Sequence, residues 1–426
     1  MLDYQTKVSY ETILKAQLRP AMGCTEPIAI AYAAAILGEM LGGVPEKIDA
    51  AFSGNIIKNV KSVIVPATGG RRGIEAAIAA GLVSMRPDKR LEVLTVLTRE
   101  DECRIDRALS DCEIRISKLN TGCSFELQLR GYLGEKEAFV EISGAHTNVT
   151  RAELNGADMS AKYADRASVN DDGSSIDYSV LNVKDIIEFA DAAELDALRP
   201  LLLSQIEMNM AIAEEGLRGS WGAQIGKLLL ALGDDVSRKA RAYAAAGSDA
   251  RMSGCEMPVY IISGSGNQGI TASVPVVVYA KEMKKSEEEL LRALIVSDLI
   301  TVHQKTGIGT LSAYCGAISA GVGAGAGICY LHGGRLSEIS HTLVNAVAIL
   351  SGTICDGAKA SCAAKIAMAV EAGIMGFEMW RAGSQFHGGD GIVEKGVENT
   401  IKNVGRLAKE GMSDTDREII EIMLGI

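Results

Sequence analysis

The sequence has little proline, little histidine and no excess of positive charge. Only 8 of the 426 residues are proline and 5 are histidine, whereas 46 are glycine and 47% are hydrophobic. Such a composition is typical of a globular protein without a disorder signature. The formal net charge of −11 argues against a surface that binds nucleic acid or an anionic membrane. The opening MLDYQTKVSYETILKAQ lacks the apolar core of a signal peptide, so we expect a cytoplasmic protein.

One long stretch has no charge at all. Residues 306–334 contain no Asp, Glu, Lys or Arg, which invites comparison with a membrane span. The stretch consists mostly of Gly, Ala and Ser, and it has too few large apolar residues to favour insertion into a bilayer. We therefore expect a tightly packed interior helix pair and no membrane partner.

The length and the changes in pattern predict an α+β fold. A chain of 426 residues exceeds one ordinary core. Residues 1–45 form a predicted N-terminal helical segment that bears a GCTEP motif. Short alternating runs such as LEVLTVLT and EAFVEISG predict an α/β domain with a mixed sheet over 46–180. Helical periodicity dominates 181–426, which predicts a larger, mostly α-helical domain that also packs the N-terminal helix. The polar stretch 165–179 is the candidate linker.

The segment PVYIISGSGNQGI has the glycine spacing of dinucleotide-binding loops, at Gly264, Gly266 and Gly269. A dinucleotide site needs a helix directly after the loop. The following TASVPVVVYAKEM, with an early Pro275 and a β-branched run, is a poor opening for a helix. Two alternatives stay open beside the nucleotide site. One is a plain glycine turn, and the other is a small-anion loop in which backbone N–H groups hold a carboxylate.

Nine cysteines in a chain without a secretion signal favour free thiols over a disulfide framework. Cys355 and Cys362 lie seven residues apart in GTICDGAKASC, and Cys315 precedes them in LSAYCGAISAGVG. On one continuous helix, Cys355 and Cys362 would share a face about 10 Å apart, too far for a mononuclear zinc site. They can meet if Gly357 breaks the helix, or if they hold a larger iron–sulfur cluster. The spacing alone does not decide whether these cysteines are core thiols, ligands of an iron–sulfur cluster or ligands of zinc.

AMGCTEP places Cys24 just before a predicted helix start near Pro27. The dipole and free N–H groups of a helix N-terminus lower the pKa of a thiol. Cys24 is therefore a candidate nucleophile or general base, and the alternative is a small buried thiol at a turn. His146, in EISGAHTN, follows a predicted strand and either faces a cleft or caps the strand end. His303, beside Lys305, lies nearer the cysteines in the chain.

Five separated motifs together resemble the L-cysteine desulfidase family, an uncharacterised protein family related to the iron–sulfur L-serine dehydratases. In chain order they are RPAMGCTEPIAIAYAAA, ISGAHTN, SGSGNQGITASVPV, TVHQKTGIGTLSAYCGA and ICDGAKASCAAK. The resemblance runs nearly end to end. Five motifs in the same order make it specific, although any one of them alone would not.

The resemblance implies an oxygen-sensitive [4Fe–4S] cluster whose three ligands map onto Cys315, Cys355 and Cys362. A fourth cysteine, the proposed base, maps onto Cys24. The implied reaction is a β-elimination without pyridoxal phosphate, in which L-cysteine and water give pyruvate, ammonia and sulfide. The predicted 181–426 domain then becomes the iron–sulfur catalytic domain, and the active site is expected between it and the α/β part.

We expect a small amino acid as the substrate partner. The predicted substrate-binding residues are Thr25, Glu26, His146, Ser265, Gly266, Asn267, Gln268 and Lys359. Two alternatives to substrate binding stay open for Lys359: it could tune the cluster's charge, or it could be an ordinary surface residue. Cys255 and Cys329 are further thiols near the implied ligands. The sequence does not decide whether the protein forms a homo-oligomer.

Three other functions remain open on the sequence. An L-serine dehydratase, or a deaminase of another small β-substituted amino acid, would use the same cluster and the same elimination. An iron–sulfur sensor or sulfur-storage protein would belong to a different class, but the sequence offers no DNA-binding or signalling module. A pyridoxal-phosphate lyase would need a lysine and a phosphate-binding cup, and no segment resembles that arrangement.

Overall fold

The computed structural model describes residues 2–164, 176–309 and 311–424. Most of the predicted linker, residues 165–175, lies outside the described residues. The helices are α1 (Tyr4–Gln17), α2 (Thr25–Leu41), α3 (Gly54–Val60), α4 (Gly73–Ser84), α5 (Glu102–Asp111), α6 (Ser160–Tyr163), α7 (Val183–Ala192), α8 (Leu195–Arg218), α9 (Ile225–Ala231), α10 (Val236–Met252), α11 (Gly266–Glu282), α12 (Glu287–Ile308), α13 (Gly316–Leu331), α14 (Leu336–Ile349), α15 (Cys362–Arg381), α16 (Val397–Arg406) and α17 (Ser413–Leu424). The strands are β1 (Arg19–Met22), β2 (Lys47–Phe52), β3 (Glu113–Lys118), β4 (Glu126–Leu133), β5 (Lys136–Ser143), β6 (Val149–Leu154), β7 (Ala157–Asp158) and β8 (Pro258–Ile261).

A mixed six-stranded sheet lies in the N-terminal part, in the order β3-β2-β4-β5-β6-β7. β2 and β3 are parallel, and the other neighbours are antiparallel. Burial alternates along β2, where Ile48, Ala50 and Phe52 are buried, as expected for a strand with one covered face. With the larger helical part that follows, this confirms the predicted α+β fold with a mixed sheet.

The predicted N-terminal segment packs on both parts of the molecule. α1 contacts α7 and α12 in the helical part, whereas α2 packs on β4 and β5 of the sheet and on α4. Every residue of α2 except Glu39 is buried, because the sheet covers one side of this helix and α4 another. The predicted domain boundaries themselves stay a prediction.

Helix α13 is the centre of the helical part. It contacts α11, α12, α14 and α15, and all its residues except Gly316 are buried. A Cβ at Gly321 would lie 2.2 Å from the Ala369 carbonyl oxygen, so α13 and α15 touch through their backbones. Most of the described residues in the charge-free stretch 306–334 are buried, as expected, but the stretch contributes one helix and the end of α12 rather than a helix pair. None of the helices in the described residues is both long and apolar enough to cross a membrane.

A two-stranded ribbon links the two halves of the chain. β1 pairs antiparallel with β8, with Arg19 opposite Ile261, and these strands lead into α2 and α11. The expectation that no helix follows the glycine motif is wrong, because α11 begins at Gly266 and continues through Pro275. Nearly all of α11 is buried, and tertiary burial of this kind outweighs weak helix propensity.

Two glycines at the α2–α4 contact provide a test of this packing. A Cβ at Gly81 would lie 2.1 Å from the Ala31 carbonyl oxygen, whereas a Cβ at Gly38 would meet side chains at an ordinary 3.4 Å. We expect Gly81→Ala to lower the free energy of unfolding by about 1–3 kcal/mol, because the helices must separate. Gly38→Ala should leave it unchanged or raise it by up to about 1 kcal/mol through helix propensity. Denaturant unfolding measures both, and equal effects would contradict this account.

Candidate active site

Four helix N-termini surround one cavity of about 100 Å³ where the α/β and helical parts meet. Cys24 is the N-cap of α2, Ser265 is the N-cap of α11, and Cys315 is the N-cap of α13. Cys362 is the first residue of α15, and all four residues line the cavity. Helix N-termini present free N–H groups and the positive end of the helix dipole. The cavity is therefore built to favour negatively charged groups.

Backbone hydrogen bonds hold Cys315 beside Cys355. The Cys315 N–H donates to the Thr353 carbonyl oxygen (2.9 Å), and the Cys355 N–H donates to the Ala313 carbonyl oxygen (2.6 Å). These two bonds form a short antiparallel bridge around Tyr314 and Ile354. Because the bridge fixes the backbone on both sides, the two thiols enter the cavity together.

The segment between Cys355 and Cys362 is not helical. Gly357 has a φ of +92°, and a Cβ there would lie 2.6 Å from the Lys58 carbonyl oxygen. Glycine is therefore required, both by the left-handed backbone and by the close approach. The continuous helix is not formed, and the break at Gly357 is what brings both thiols to one cavity.

The donor set of the cavity fits an iron–sulfur cluster. Cys315, Cys355 and Cys362 all line it, and thiolates are the ordinary ligands of such clusters. Across residues 2–164, 176–309 and 311–424, no three His, Cys, Asp or Glu side chains are grouped so as to hold one metal ion. A cluster takes each thiolate on a separate iron, so its ligands stand wider apart than those of zinc.

Four cations accompany the thiols, of which three are buried and Lys365 is partly exposed. Lys58, Lys305, Lys365 and Arg251 line the same cavity, which offsets the negative charge of thiolate ligands. Lys58 donates to the Cys355 carbonyl oxygen (3.3 Å). Burial lowers the pKa of Lys305 to about 8, although the neighbouring thiols Cys355 and Cys315 act in the opposite direction.

The three predicted ligand thiols differ in their ease of ionisation. Contact with Cys315 lowers the pKa of Cys355, and the nearby Lys58 ammonium lowers it further. The same contact, together with burial, raises the pKa of Cys315. Burial also raises the pKa of Cys362. Cys355 is thus the thiol most readily present as a thiolate.

Cys24 lies at a helix N-terminus as predicted, but its pKa does not fall. Burial raises the pKa of Cys24 well above its usual value, and the adjacent Glu26 carboxylate raises it further, while Arg251 acts in the opposite direction. The Cys24 thiol donates a hydrogen bond to Glu26 Oε2 (3.1 Å). The predicted lowering of the pKa is therefore wrong, because desolvation and a neighbouring carboxylate outweigh the helix dipole here.

Glu26 is a buried carboxylate held by several donors. Asn59 Nδ2 donates to Oε1 (3.0 Å), and His146 Nε2 lies 4.0 Å from the same oxygen, at ion-pair rather than hydrogen-bond distance. Burial by itself raises the pKa of Glu26, but His146 and the Cys24 thiol reverse this and lower the pKa to about 2. Glu26 is therefore ionised at neutral pH.

Most of the predicted site residues meet at this cavity. Those that line it are Cys24, Thr25, Glu26, His146, Ser265, Asn267, Gln268, Cys315, Cys355 and Cys362. Thr25 Oγ1 donates to the Gly264 carbonyl oxygen (2.8 Å), which ties the GCTEP motif to the glycine loop. Gly266 lies behind the wall rather than in it.

Lys359 also does not line the cavity. Its ammonium pairs with Asp356 and donates to the Gly357 carbonyl oxygen (3.3 Å). Cys255 and Cys329 are buried elsewhere and do not reach the cavity wall. His303 pairs with Glu398 (2.7 Å) on α16 and is likewise absent from the wall.

The sequence interpretation missed most of the charged groups of the site. Lys58, Arg251 and Lys365 lie within helices, where a single basic residue is usually on the exposed face. Arg251 follows the run AYAAAGSDA, whose small residues indicate close packing around it, and this was the one available signal. Lys305 was noted only as a neighbour of His303.

A second cavity of about 470 Å³ adjoins the first. Both are lined by His146, Ser263, Gly264 and Lys305, so these residues form the partition between them. Ser263 has a φ of +48° and Gly264 of +77°, which bends the chain sharply at this partition. The larger cavity therefore lies directly across this partition from the thiol-lined one.

The α+β fold carries a buried, thiol-lined cavity that is the candidate active site. A profile described as serine dehydratase alpha chain matches residues 88–421. This chain belongs to the serine dehydratase alpha chain family, whose members are generally iron–sulfur dependent. Cys24, Thr25 and Glu26 lie before the matched residues.

Curated relatives cover nearly the whole chain. A UPF0597 protein of Desulfitobacterium hafniense (strain Y51) is 53% identical over 99% of this chain and 97% of its own. A UPF0597 protein of Lachnoclostridium phytofermentans is 49% identical over 97% and 98%, respectively. A third, from Treponema denticola, is 45% identical over 99% of both chains. The resemblance to a dehydratase-like family is thus confirmed, whereas the desulfidase specificity stays a prediction.

The ion pair beneath Cys355 gives a prediction on stability. Lys58 Nζ lies 2.6 Å from Asp416 Oδ1, and the Lys58 side chain is 1% exposed. Asp416→Ala would leave this ammonium buried without its partner, so we expect the free energy of unfolding to fall by about 3 kcal/mol. Asp414→Ala on the same helix is the matched control. Asp414 forms an exposed pair with Arg417, and its removal should change little. Thermal or denaturant unfolding measures both variants. Equal free energies of unfolding for the two would refute the stabilising role of Asp416.

Proposed function

We propose that this chain is a cytoplasmic [4Fe–4S]-dependent lyase that converts L-cysteine and water to pyruvate, ammonia and sulfide. The observation that carries the proposal is the meeting of Cys315, Cys355 and Cys362 at one cavity that Cys24 also lines. The family membership supports the reaction class, and the five motifs of the sequence support the desulfidase specificity.

The three thiols would hold the cluster, and Lys58 and Lys365 would balance its charge. Lys359 does not reach the cavity, so we assign it to charge balance near Cys362 rather than to substrate contact. A bound cluster with three protein ligands supplies an iron with an open position, which acts as a Lewis acid toward the leaving heteroatom.

Cys24 would take the proton from Cα of the substrate while the Cβ–S bond breaks. The products of that step are aminoacrylate and sulfide. Aminoacrylate tautomerises to an imine, and water hydrolyses the imine to pyruvate and ammonia. Because the pKa of Cys24 is raised, its thiolate must be supported by a positive charge, and Arg251 is the cation that lowers this pKa.

The remaining residues would hold the substrate. Ser265, Asn267 and Gln268 sit at the N-terminus of α11, where a carboxylate is favoured. Thr25, Glu26 and His146 also line the cavity, and Thr25 is hydrogen-bonded to Gly264 beside Ser265. Gly266 does not line the cavity, and it would support the site by leaving room for the Arg251 guanidinium.

L-Serine dehydration is the second candidate, favoured by the family to which the chain belongs. The elimination is the same except that the Cβ–O bond breaks and water leaves. Iron accepts oxygen as well as sulfur ligands, so the cavity itself does not separate the two substrates.

The deciding experiment uses protein purified without oxygen. Its absorbance in the iron–sulfide charge-transfer region is recorded, and sulfide and pyruvate are assayed from L-cysteine with L-serine in parallel. We expect brown protein that releases both products from L-cysteine. Faster pyruvate release from L-serine would favour the second candidate. Colourless protein that stays inactive after reconstitution with iron and sulfide would refute both.

Replacement of a ligand thiol should remove the cluster. We expect Cys315→Ala to lose both the brown colour and turnover, because a cluster cannot be held by the two thiols that remain. Cys329→Ala, which removes a core thiol from the same helix, is the matched control and should keep both. Iron and acid-labile sulfide analysis measures the difference, and a fully loaded Cys315→Ala protein would contradict the ligand assignment.

Replacement of the base should separate colour from activity. We expect Cys24→Ala to keep the cluster spectrum and to lose turnover by a factor of about 10² or more, the usual contribution of a general base. Steady-state sulfide release and the visible spectrum are measured on the same sample. A coloured and fully active Cys24→Ala protein would remove Cys24 from the mechanism.

A further inference from the structure

Arg251 is a buried cation whose hydrogen-bonding capacity is only partly used. It lies in the last turn of α10, lines the cavity and is 3% exposed. Within the described residues, its side chain makes one hydrogen bond, from Nη1 to Asn267 Oδ1 (3.1 Å), and Nε has no partner. A guanidinium carries five N–H donors and remains charged, so burial with open donors is costly unless an anion completes the site.

The guanidinium also packs against a helix N-terminus. A Cβ at Gly266 would lie 2.4 Å from Arg251 Nε and 2.8 Å from its Cζ, so only glycine leaves room for this contact. Gly266 is the first residue of α11, a helix of 17 residues whose N-cap is Ser265. The guanidinium and the positive end of the helix dipole therefore favour an anion at the same place. A carboxylate matches the planar guanidinium fork in shape and charge.

The cavity also contains a negatively charged side chain, the Glu26 carboxylate. Glu26 is the one carboxylate among the described residues that line it, and this side chain is buried. Among the described residues, Glu26 has one cationic group at ion-pair distance, His146 Nε2 at 4.0 Å, and it accepts hydrogen bonds from the neutral Cys24, Thr25 and Asn59 side chains. It can therefore accept a further cation. The cavity thus presents an open guanidinium and a buried carboxylate to one small molecule.

We propose that Arg251 binds the α-carboxylate of the substrate and that Glu26 accepts its α-ammonium group. This proposal rests on the proposed function and deepens it, since it defines the substrate as an α-amino acid zwitterion rather than any small thiol. With both charged groups held, the Cα–H bond lies near Cys24, which is adjacent to Glu26. Small amines and thiols without a carboxylate would lack the Arg251 contact and be rejected.

Binding of L-alanine tests the proposal without turnover, because L-alanine has both charged groups and no leaving group. Calorimetry measures its binding to cluster-loaded protein purified without oxygen. Arg251→Lys keeps the positive charge but loses the planar fork, so we expect binding at least tenfold weaker. Arg241→Lys is the matched control, because Arg241 lies on the same helix, pairs with Glu371 (3.0 Å) and does not line the cavity. It should bind L-alanine as the wild type does.

A second variant keeps the test sharp if Arg251→Lys folds poorly. Asn267→Asp has nearly the same shape and gives the guanidinium an internal carboxylate partner, so it should compete with the substrate and also weaken L-alanine binding. Turnover supplies an independent comparison. The preference of kcat/KM for L-cysteine over L-cysteinamide, which lacks the carboxylate, should shrink at least tenfold in Arg251→Lys.

The outcomes separate this proposal from the proposed function. Wild-type protein that does not bind L-alanine, or Arg251→Lys protein that binds it equally well, overturns the role of Arg251. Protein that binds L-alanine through Arg251 but eliminates from neither L-cysteine nor L-serine overturns the proposed function and leaves the zwitterion site standing.

Discussion

The structure depends on the convergence of four helix N-termini on one buried cavity. Thiolates and carboxylates are costly to bury, and this arrangement offsets the cost with helix dipoles and with cations such as Lys58 and Arg251. The convergence is possible because the helices approach closely. α13 and α15, which present Cys315 and Cys362, touch through glycine at Gly321. Larger side chains there would move α13 and α15 apart and separate the two thiols. The close packing of the core therefore sets the geometry of the site.

Charge then assigns different roles to chemically identical thiols. Contact with Cys315, together with the nearby Lys58 ammonium, lowers the pKa of Cys355, which suits its proposed role as a cluster ligand. Cys24 lies beside the Glu26 carboxylate and holds its proton more tightly. A thiol of raised pKa is a stronger base once ionised, so the burial and the carboxylate that disfavour the thiolate would strengthen Cys24 in its proposed role as a base. In the proposed site, Arg251 acts on both the Cys24 thiol and the substrate.

Much of the fold could be predicted from the sequence, because period-2 runs such as those of β4 and β5 and the helical periodicity of the C-terminal part are local signals. The run LEVLTVLT at 91–98 was a wrong prediction, because it forms the end of a 3-10 helix and a turn instead of a strand. The helix after the glycine motif could not be predicted, since Pro275 and its β-branched neighbours oppose it locally and only burial favours it. For the site, motifs indicated the thiols, His146 and the glycine loop. Arg251 and Lys58 carried no comparable signal, because the burial of a lone basic residue depends on distant elements. The predicted lowering of the pKa of Cys24 was wrong for the same reason. The start of the helix can be recognised in the sequence, whereas the burial of the thiol cannot.

The most direct test is a crystal structure of protein purified and crystallised without oxygen, with anomalous scattering measured at the iron edge. The account predicts four iron positions between Cys315, Cys355 and Cys362, with one iron free of protein ligands and facing Cys24. Iron bound at Cys255 or Cys329, or thiols that remain unligated in fully iron-loaded protein, would contradict the central claim that these helix N-termini are built to hold a cluster.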